Sequence, residues 1–284
     1  KSKQKTHTLL LISIMKIVSF NINSIRARPH QIEYIRDAIN PDVIGLQETK
    51  VNDPDFPIDV INDIGYHVVY HGQKGHYGVA MLSKSEPLNT VKGFKDDTEE
   101  DQKRFIQATF KFGNENLTIM NGYFPQGENI KHETKFPKKV KYYKDLKDHI
   151  ISLQKKTSNL IIMGDFNVSP EDIDIGIGED NAKRWLREGK TSFQPEERQM
   201  WNSIKDLGFV DSWRILNPND SSTYSWFDYR SRMFDQNPKR GLRIDHIMLS
   251  ENLKDSIINV GIDHVARAME KPSDHCPIWL ELNE

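Results

Sequence analysis

The chain has 284 residues, 37% of them hydrophobic, with 39 lysines and arginines against 41 acids and a formal charge of −2. That length can bury one large core, and no Pro/Gly/Ser-rich linker divides it, so a single domain over 15–284 is expected. The lone cysteine, Cys276, excludes an intramolecular disulfide framework, and the near-neutral charge gives no global field announcing a nucleic acid.

Residues 1–14 place Lys1, Lys3, Lys5 and His7 before a short apolar run, Leu9 to Ile14, with no small-residue cleavage site. The segment reads as an N-terminal extension ahead of Met15, disordered or added upstream of a natural start. No stretch approaches the ~20 apolar residues needed to span a bilayer. A soluble cytoplasmic protein is expected, with Cys276 a small buried hydrophobe.

The first predicted strand, 16–20, runs into Asn21 and Asn23. A helix over 30–39 follows from Ile32, Ile35 and Ile39, with Pro41 beyond its end. Strand 43–47 ends at Glu48, and strands 66–71, 78–83, 105–112 and 117–124 come next, the last carrying Tyr123. A helix over 137–154 turns Val140, Tyr143, Leu146, Ile150 and Leu153 inward. Seven lysines crowd 131–147 (Lys131, Lys135, Lys138, Lys139, Lys141, Lys144, Lys147), as a phosphate-binding stripe or a solvated face. Strand 160–164 breaks at Gly164 and presents Asp165 and Asn167. A long excursion over 170–195 holds one short helix near Asn181–Arg187, and a helix over 196–207 turns Met200, Ile204 and Leu207 inward. Strands 243–249 and 277–282 close the chain, flanking a second basic group, Arg230, Arg232, Lys239, Arg240 and Arg243. Many strands with few helices imply an α/β fold of two packed sheets with helices outside.

Leu-Ile-Ile-Met-Gly-Asp-Phe-Asn at 160–167 carries most of the functional signal. Open α/β sheets bind ligands beyond the carboxyl ends of their strands. Here Glu48, Asp165, Asn21 and Asn23 offer oxygen donors at three such ends, which suits a hard cation such as Mg²⁺. A bland alternative pairs Glu48 with Lys50. Ser273-Asp274-His275-Cys276-Pro277 brings a histidine back to the sheet, and Asp245, inside an apolar strand, needs a partner such as that imidazole. Metal, base and donors are the parts of phosphate-ester hydrolysis. Tyr123 is available to the leaving oxygen or the phosphate. Ser225-Trp226-Phe227-Asp228-Tyr229-Arg230 reads as a buried mini-core or a stacking surface for a nucleotide.

Eight blocks in order resemble the exonuclease III family of the endonuclease/exonuclease/phosphatase superfamily: 21–23, 46–50, 70–78, 121–127, 164–167, 225–230, 241–245 and 272–275. The resemblance implies a four-layer α/β sandwich, two mixed β-sheets face to face as in DNase I. It implies Glu48 as the Mg²⁺ ligand with Asn21 assisting, Mn²⁺ as a substitute, and Asp274 at the metal site or a second metal position. The resemblance further implies that Asp165 and Asn167 join the metal site, that Asp165 orients or deprotonates the attacking water, that Asn167 helps hold the phosphate, and that His275, held by Asp245, contacts it, with Tyr123 near the scissile group. Trp226, Phe227, Leu242 and Ile244 form or flank a pocket for an extruded base-free sugar, and Gln126, Lys135 and Arg230 touch phosphates or strand. The implied activity is cleavage of double-stranded DNA 5′ to abasic sites, with 3′-5′ exonuclease and 3′-phosphatase action on blocked ends, by a monomer. Ser24 departs from the glycine common in relatives, away from the chemistry. A nonspecific DNase I-like nuclease or another superfamily phosphodiesterase is the nearest rival. A catalytically inactive DNA-binding paralogue is the rival of another class, against which Glu48, Asp165 and His275 all stand.

Overall fold

The computed structural model describes residues 13–284, and most of the proposed extension lies outside that span. Its last residue belongs to the domain, because strand β1 (Ile14–Asn21) pairs Ile14 with Asn283. The first sheet adds β2 (Val43–Gln47), β3 (His67–His71), β4 (Val79–Ser83), β11 (Ile257–Ile262) and β12 (Ile278–Asn283), in the order β11-β12-β1-β2-β4-β3. The second holds β5 (Asn89–Lys92), β6 (Phe105–Phe112), β7 (Glu115–Tyr123), β8 (Leu160–Asp165), β9 (Phe209–Asp211) and β10 (Asp245–Ser250), in the order β5-β6-β7-β8-β10-β9. Each sheet is mixed: β1–β2 and β7–β8 are parallel, the remaining pairs antiparallel.

Alternation along the central strands explains the layering. Ile161 and Met163 of β8 join Ile17, Met81, Ile119, Ile247 and Leu280 between the sheets. Leu160 and Ile162 face the other way, toward Tyr143, Leu146, Ile150, Trp201 and Ile204 on helices α3 (Lys135–Gln154) and α5 (Pro195–Lys205). On the first sheet Val18, Phe20, Ile44 and Leu46 pack against Ile32 and Ile35 of α1 (Pro29–Ala38). Strands buried on both faces read as continuous apolar runs, which is why these were visible in the sequence. Among the described residues no helix is long and apolar enough to cross a membrane.

Several expectations need correction. Strand β8 does not break at Gly164 but continues to Asp165. Glycine is required there because a Cβ would lie 1.9 Å from the Gly122 carbonyl oxygen on β7. Val140 is 45% exposed and faces solvent, whereas Tyr142 and Lys139 point inward from α3. The strand placed at 243–249 starts at Asp245. The short helix within 170–195 is present as α4 (Glu179–Glu188). Strands β5, β9 and β11 and the short helices at 58–63, 212–216 and 264–267 had no counterpart in the sequence reading. All but β11 are brief, and β5 and β11 are half-exposed edges, β11 carrying Ile258, Val260 and Ile262 in alternation with Asn259 and Gly261.

Behind β10 lies a buried charge network. Arg243, 1% exposed, donates from Nε to Asp174 Oδ1 (2.6 Å) and from NH2 to Asp211 Oδ2 (2.8 Å). Its NH1 meets His246 Nδ1 at 2.9 Å while His246 Nε2 meets the Val168 carbonyl at 2.7 Å. Arginine can only donate, so Nδ1 accepts, Nε2 carries the proton, and the ring is neutral. Burial, and then the Arg243 charge, push its pKa down to about 4. Between pH 4 and about 6.5 the unfolded chain therefore binds a proton that the folded chain refuses. The contribution of His246 is complete above about 6.5 and lost as pH falls toward 4, worth about 3 kcal/mol. In urea titrations, the stability gap between the parent and His246→Gln should narrow by about 2 to 3 kcal/mol from pH 7 to pH 4. A gap independent of pH contradicts the neutral ring.

Candidate active site

Parallel pairing places the carboxyl ends of β1, β2, β7 and β8 along one edge of the sandwich. Asn21 ends β1, Glu48 follows β2, Tyr123 ends β7 and Asp165 ends β8. Strand β10 runs antiparallel to β8 and begins there, with Asp245 directly opposite Asp165. The segment before β12 delivers Asp274 and His275 to the same edge. Glu48 (φ +53°) and Asn167 (φ +52°) both adopt the left-handed backbone region, a strain that elsewhere concentrates at functional positions.

One ligand atom each from Glu48, Asp165 and His275 lies within 4.8 Å of the others. Asn21 joins the two acids: its Nδ2 donates to Glu48 Oε1 (2.9 Å) and Asp165 Oδ2 (3.0 Å), while its Oδ1 accepts from the Asn23 amide (3.1 Å). Asn21 thus presents its amine, not its oxygen, to the cluster. The imidazole of His275 is gripped at Nδ1 by Asp245 (2.8 and 3.0 Å), leaving Nε2 3.7 Å from Asp165 Oδ2. Asp245 is held in turn by the Ser225 hydroxyl (2.7 Å), whose oxygen accepts the Ile244 and Asp245 amides at 3.0 Å each.

The charges follow from these contacts. Burial opposes a charged His275, but Asp245 and then Asp165 outweigh it and raise its pKa well above the ordinary imidazole value. A protonated ring donates hydrogen bonds and ligates nothing. Burial raises Asp165 above the usual carboxylate range, Asp245 and Glu48 acting in the same sense. Burial also acts to raise Glu48, yet Lys50, Asn21 and His275 together hold it low. Lys50 Nζ sits 3.0 Å from Glu48 Oε2, so the ion pair considered from sequence exists within the site. With His275 protonated, the remaining donors are carboxylate oxygens. That set fits a hard divalent cation, with Glu48 and Asp165 as the residues to hold it.

Around this core, Asp274 is engaged by Asn23 Nδ2 (2.9 Å) and Trp226 Nε1 (3.1 Å), apart from the Glu48–Asp165–His275 trio. Asn167 donates its backbone amide to Asp165 Oδ1 (3.0 Å) and its side-chain amide to the Phe124 carbonyl (3.0 Å). Tyr123 is half-buried, its phenol pKa raised by burial and by the Glu48 charge. The Arg104 guanidinium lies between its ring and that of Tyr77, 4.5 and 4.2 Å from the centroids.

Ser225–Phe227 runs between Leu242 and Asp274–Cys276 and is bonded to both. Leu242 and Ile244 are nearly sealed and Phe227 fully so, leaving Trp226 as the member of that group with a substantial open face. Gln126, Lys135 and Arg230 are exposed on surrounding loops and the start of α3, where Gln126 accepts from the Glu128 amide and Lys135 pairs with the Glu128 carboxylate. Sequence reasoning missed the supporting roles of Ser225, Arg104 and Asn23. Ser225 stood inside the aromatic block and Asn23 beside Asn21, but nothing local marked Arg104.

The Endonuclease/Exonuclease/phosphatase family model matches residues 18–275. Exodeoxyribonuclease III of Haemophilus influenzae is 55% identical over 94% of this chain and 99% of its own length. The Bacillus subtilis exodeoxyribonuclease is 31% identical over 95% of this chain and all of its own. Among solved structures, the Neisseria 3′ phosphatase NExo bound to a product DNA hairpin superposes with a TM-score of 0.87 at 33% identity, covering 95% of this chain and 100% of that one. An AP endonuclease from Archaeoglobus fulgidus gives 0.82 at 34% identity, over 94% and 98%. With its two packed sheets and the acid–imidazole cluster at their shared edge, the chain belongs to the endonuclease/exonuclease/phosphatase family.

Proposed function

We propose that this protein is a DNA repair nuclease that hydrolyses the phosphodiester 5′ to abasic sites in duplex DNA and trims or dephosphorylates 3′ ends. The observation that carries the reading is the convergence of Glu48, Asp165 and the Asp245-held His275 within one cluster. The names of its relatives, an exodeoxyribonuclease III, an AP endonuclease and a 3′ phosphatase, support the substrate class. The protein acts as a monomer.

Asp165, oriented by Asn21 and the Asn167 amide, takes a proton from water as the water's oxygen attacks phosphorus. The P–O3′ bond breaks and the departing oxygen takes up a proton from solvent, leaving a 3′-hydroxyl and a 5′-deoxyribose phosphate. His275, kept charged by Asp245, faces the negative phosphoryl oxygens, and Asn167 holds the phosphate beside it. Tyr123 stands next to Glu48, within reach of the leaving oxygen. Glu48 and Asp165 would hold Mg²⁺, or Mn²⁺ as a substitute, which would supply charge neutralisation of the phosphate. Trp226, backed by the buried Leu242 and Ile244, offers the open apolar face for a sugar lacking its base, whose extrusion costs less than that of an intact nucleotide.

A duplex carrying one synthetic abasic residue should be nicked in Mg²⁺ and left intact in EDTA. Asp165→Asn and Glu48→Ala should each lower turnover by at least about 100-fold. Equal cleavage of undamaged plasmid would favour a nonspecific nuclease, and full activity in Asp165→Asn would remove the assigned base. Asp245→Ala should make the rate fall as pH rises through about 6.5, because an unsupported imidazole deprotonates there. A rate profile superimposable on the parent's above pH 6.5 would deny Asp245 that role.

A further inference from the structure

The geometry points to Lys139 as a positioning residue that holds the Asn167 side of the active site through a buried ion pair with Glu197, an inference resting on the nuclease reading above. Sequence placed Lys139 with six other lysines in a phosphate-binding stripe or a solvated face. It fits neither, because both Lys139 and Glu197 side chains are fully buried.

Every donor of the ammonium is used. Nζ donates to the Asn167 carbonyl (2.9 Å), the Gln126 carbonyl (3.3 Å) and Glu197 Oε1. The other Glu197 oxygen accepts the amides of Ser192 (2.7 Å) and Gln194 (2.9 Å). The pair therefore ties α3 and α5 to three loops: the one after β7, the one after β8, and the one entering α5. One turn further along α3, the Tyr143 hydroxyl donates to the Phe166 carbonyl (3.3 Å). The helix thus grips two consecutive carbonyls immediately beyond Asp165.

What that grip fixes is the peptide leaving Asn167. Asn167 stands at φ +52°, an uncommon conformation for a residue with a Cβ. In that conformation its amide donates to Asp165 Oδ1 and its side chain to the Phe124 carbonyl. A buried ion pair is a poor device for stability, since well-packed neutral residues of similar volume commonly do as well or better. Holding the Asn167 and Gln126 carbonyls in place requires a donor at this position, which an apolar residue does not supply.

Two variants test this, K139M/E197Q, which keeps an acceptor for the Ser192 and Gln194 amides, and K139L/E197L. Melting temperature, and kcat and KM on the abasic duplex in Mg²⁺, are measured for each against the parent. The expected result is a melting temperature near the parent's, an unchanged KM, and a kcat lower by about 10- to 100-fold. A folded variant with kcat within about twofold of the parent's overturns the inference. Failure of both to fold assigns the pair to stability and overturns it equally. A parent protein that does not nick the abasic duplex at all counts instead against the nuclease reading.

Discussion

The site depends on one side-chain amide that spans the seam between two sheets. Glu48 belongs to the first sheet and Asp165 to the second, and Asn21 donates to both, at 2.9 and 3.0 Å. Without a donor between them, two buried carboxylates at this separation repel, and one is driven to protonate. With it, and with Lys50 and His275 on either side, Glu48 stays ionised although buried. The packing beneath makes this possible: Gly45 lets β2 approach β7 and β8 so closely that a Cβ there would lie 2.4 Å from the Met163 methyl. Asn121 crosses the same gap, donating to the Leu46 and Ala80 carbonyls at 3.0 and 2.9 Å. Sheet spacing and carboxylate spacing are therefore one constraint.

Charge is arranged in depth behind this seam. Ser225 orients Asp245, Asp245 holds His275, and His275 faces Asp165. The next layer inward, Arg243 with Asp174 and Asp211, is paired and leaves His246 neutral beside it. Neighbouring histidines on one seam are thus pushed in opposite directions, His275 upward by two facing acids against the effect of burial, and His246 downward by burial and then by a facing arginine. The first is suited to meeting an anion, the second to holding the Val168 carbonyl just past Asn167.

Much of this was legible because the chemistry sits at the ends of doubly buried strands. The runs at 43–47 and 160–165 are wholly buried, so their sequences carry apolar signal up to the acid that ends it. The partnership of Asp245 with His275 was also readable, since an acid within an apolar strand must find a partner. The edge strand β5 was not, being four residues long and exposed at both ends, whereas β11 was missed although Ile258, Val260 and Ile262 alternate with Asn259 and Gly261. Lys139 shows the deeper limit. Its place among six other lysines favours solvent, and only the arrival of Glu197 from 58 residues away makes its burial tolerable. Arg104 was invisible for the same reason, since its two tyrosine neighbours come from separate loops and strands.

Trp226 and the acid cluster are joined by a continuous chain of polar contacts. Trp226 donates to Asp274, Asn23 donates to the other oxygen of Asp274, Lys50 donates to Asn23 Oδ1 (2.5 Å), and Lys50 pairs with Glu48. Asp274 therefore does more here than add another oxygen at this edge: it fixes the Trp226 indole in register with Glu48. Its pKa, which burial acts to raise, is held low by His275, Asn23 and Trp226, so the link stays charged at neutral pH. A rigid link of this kind makes the position of the Trp226 indole and the alignment of the acid cluster a single geometric condition. On the proposed function, a substrate seated badly against Trp226 would be displaced from Asp165 as well, so that selectivity would appear in the chemical step rather than in binding alone.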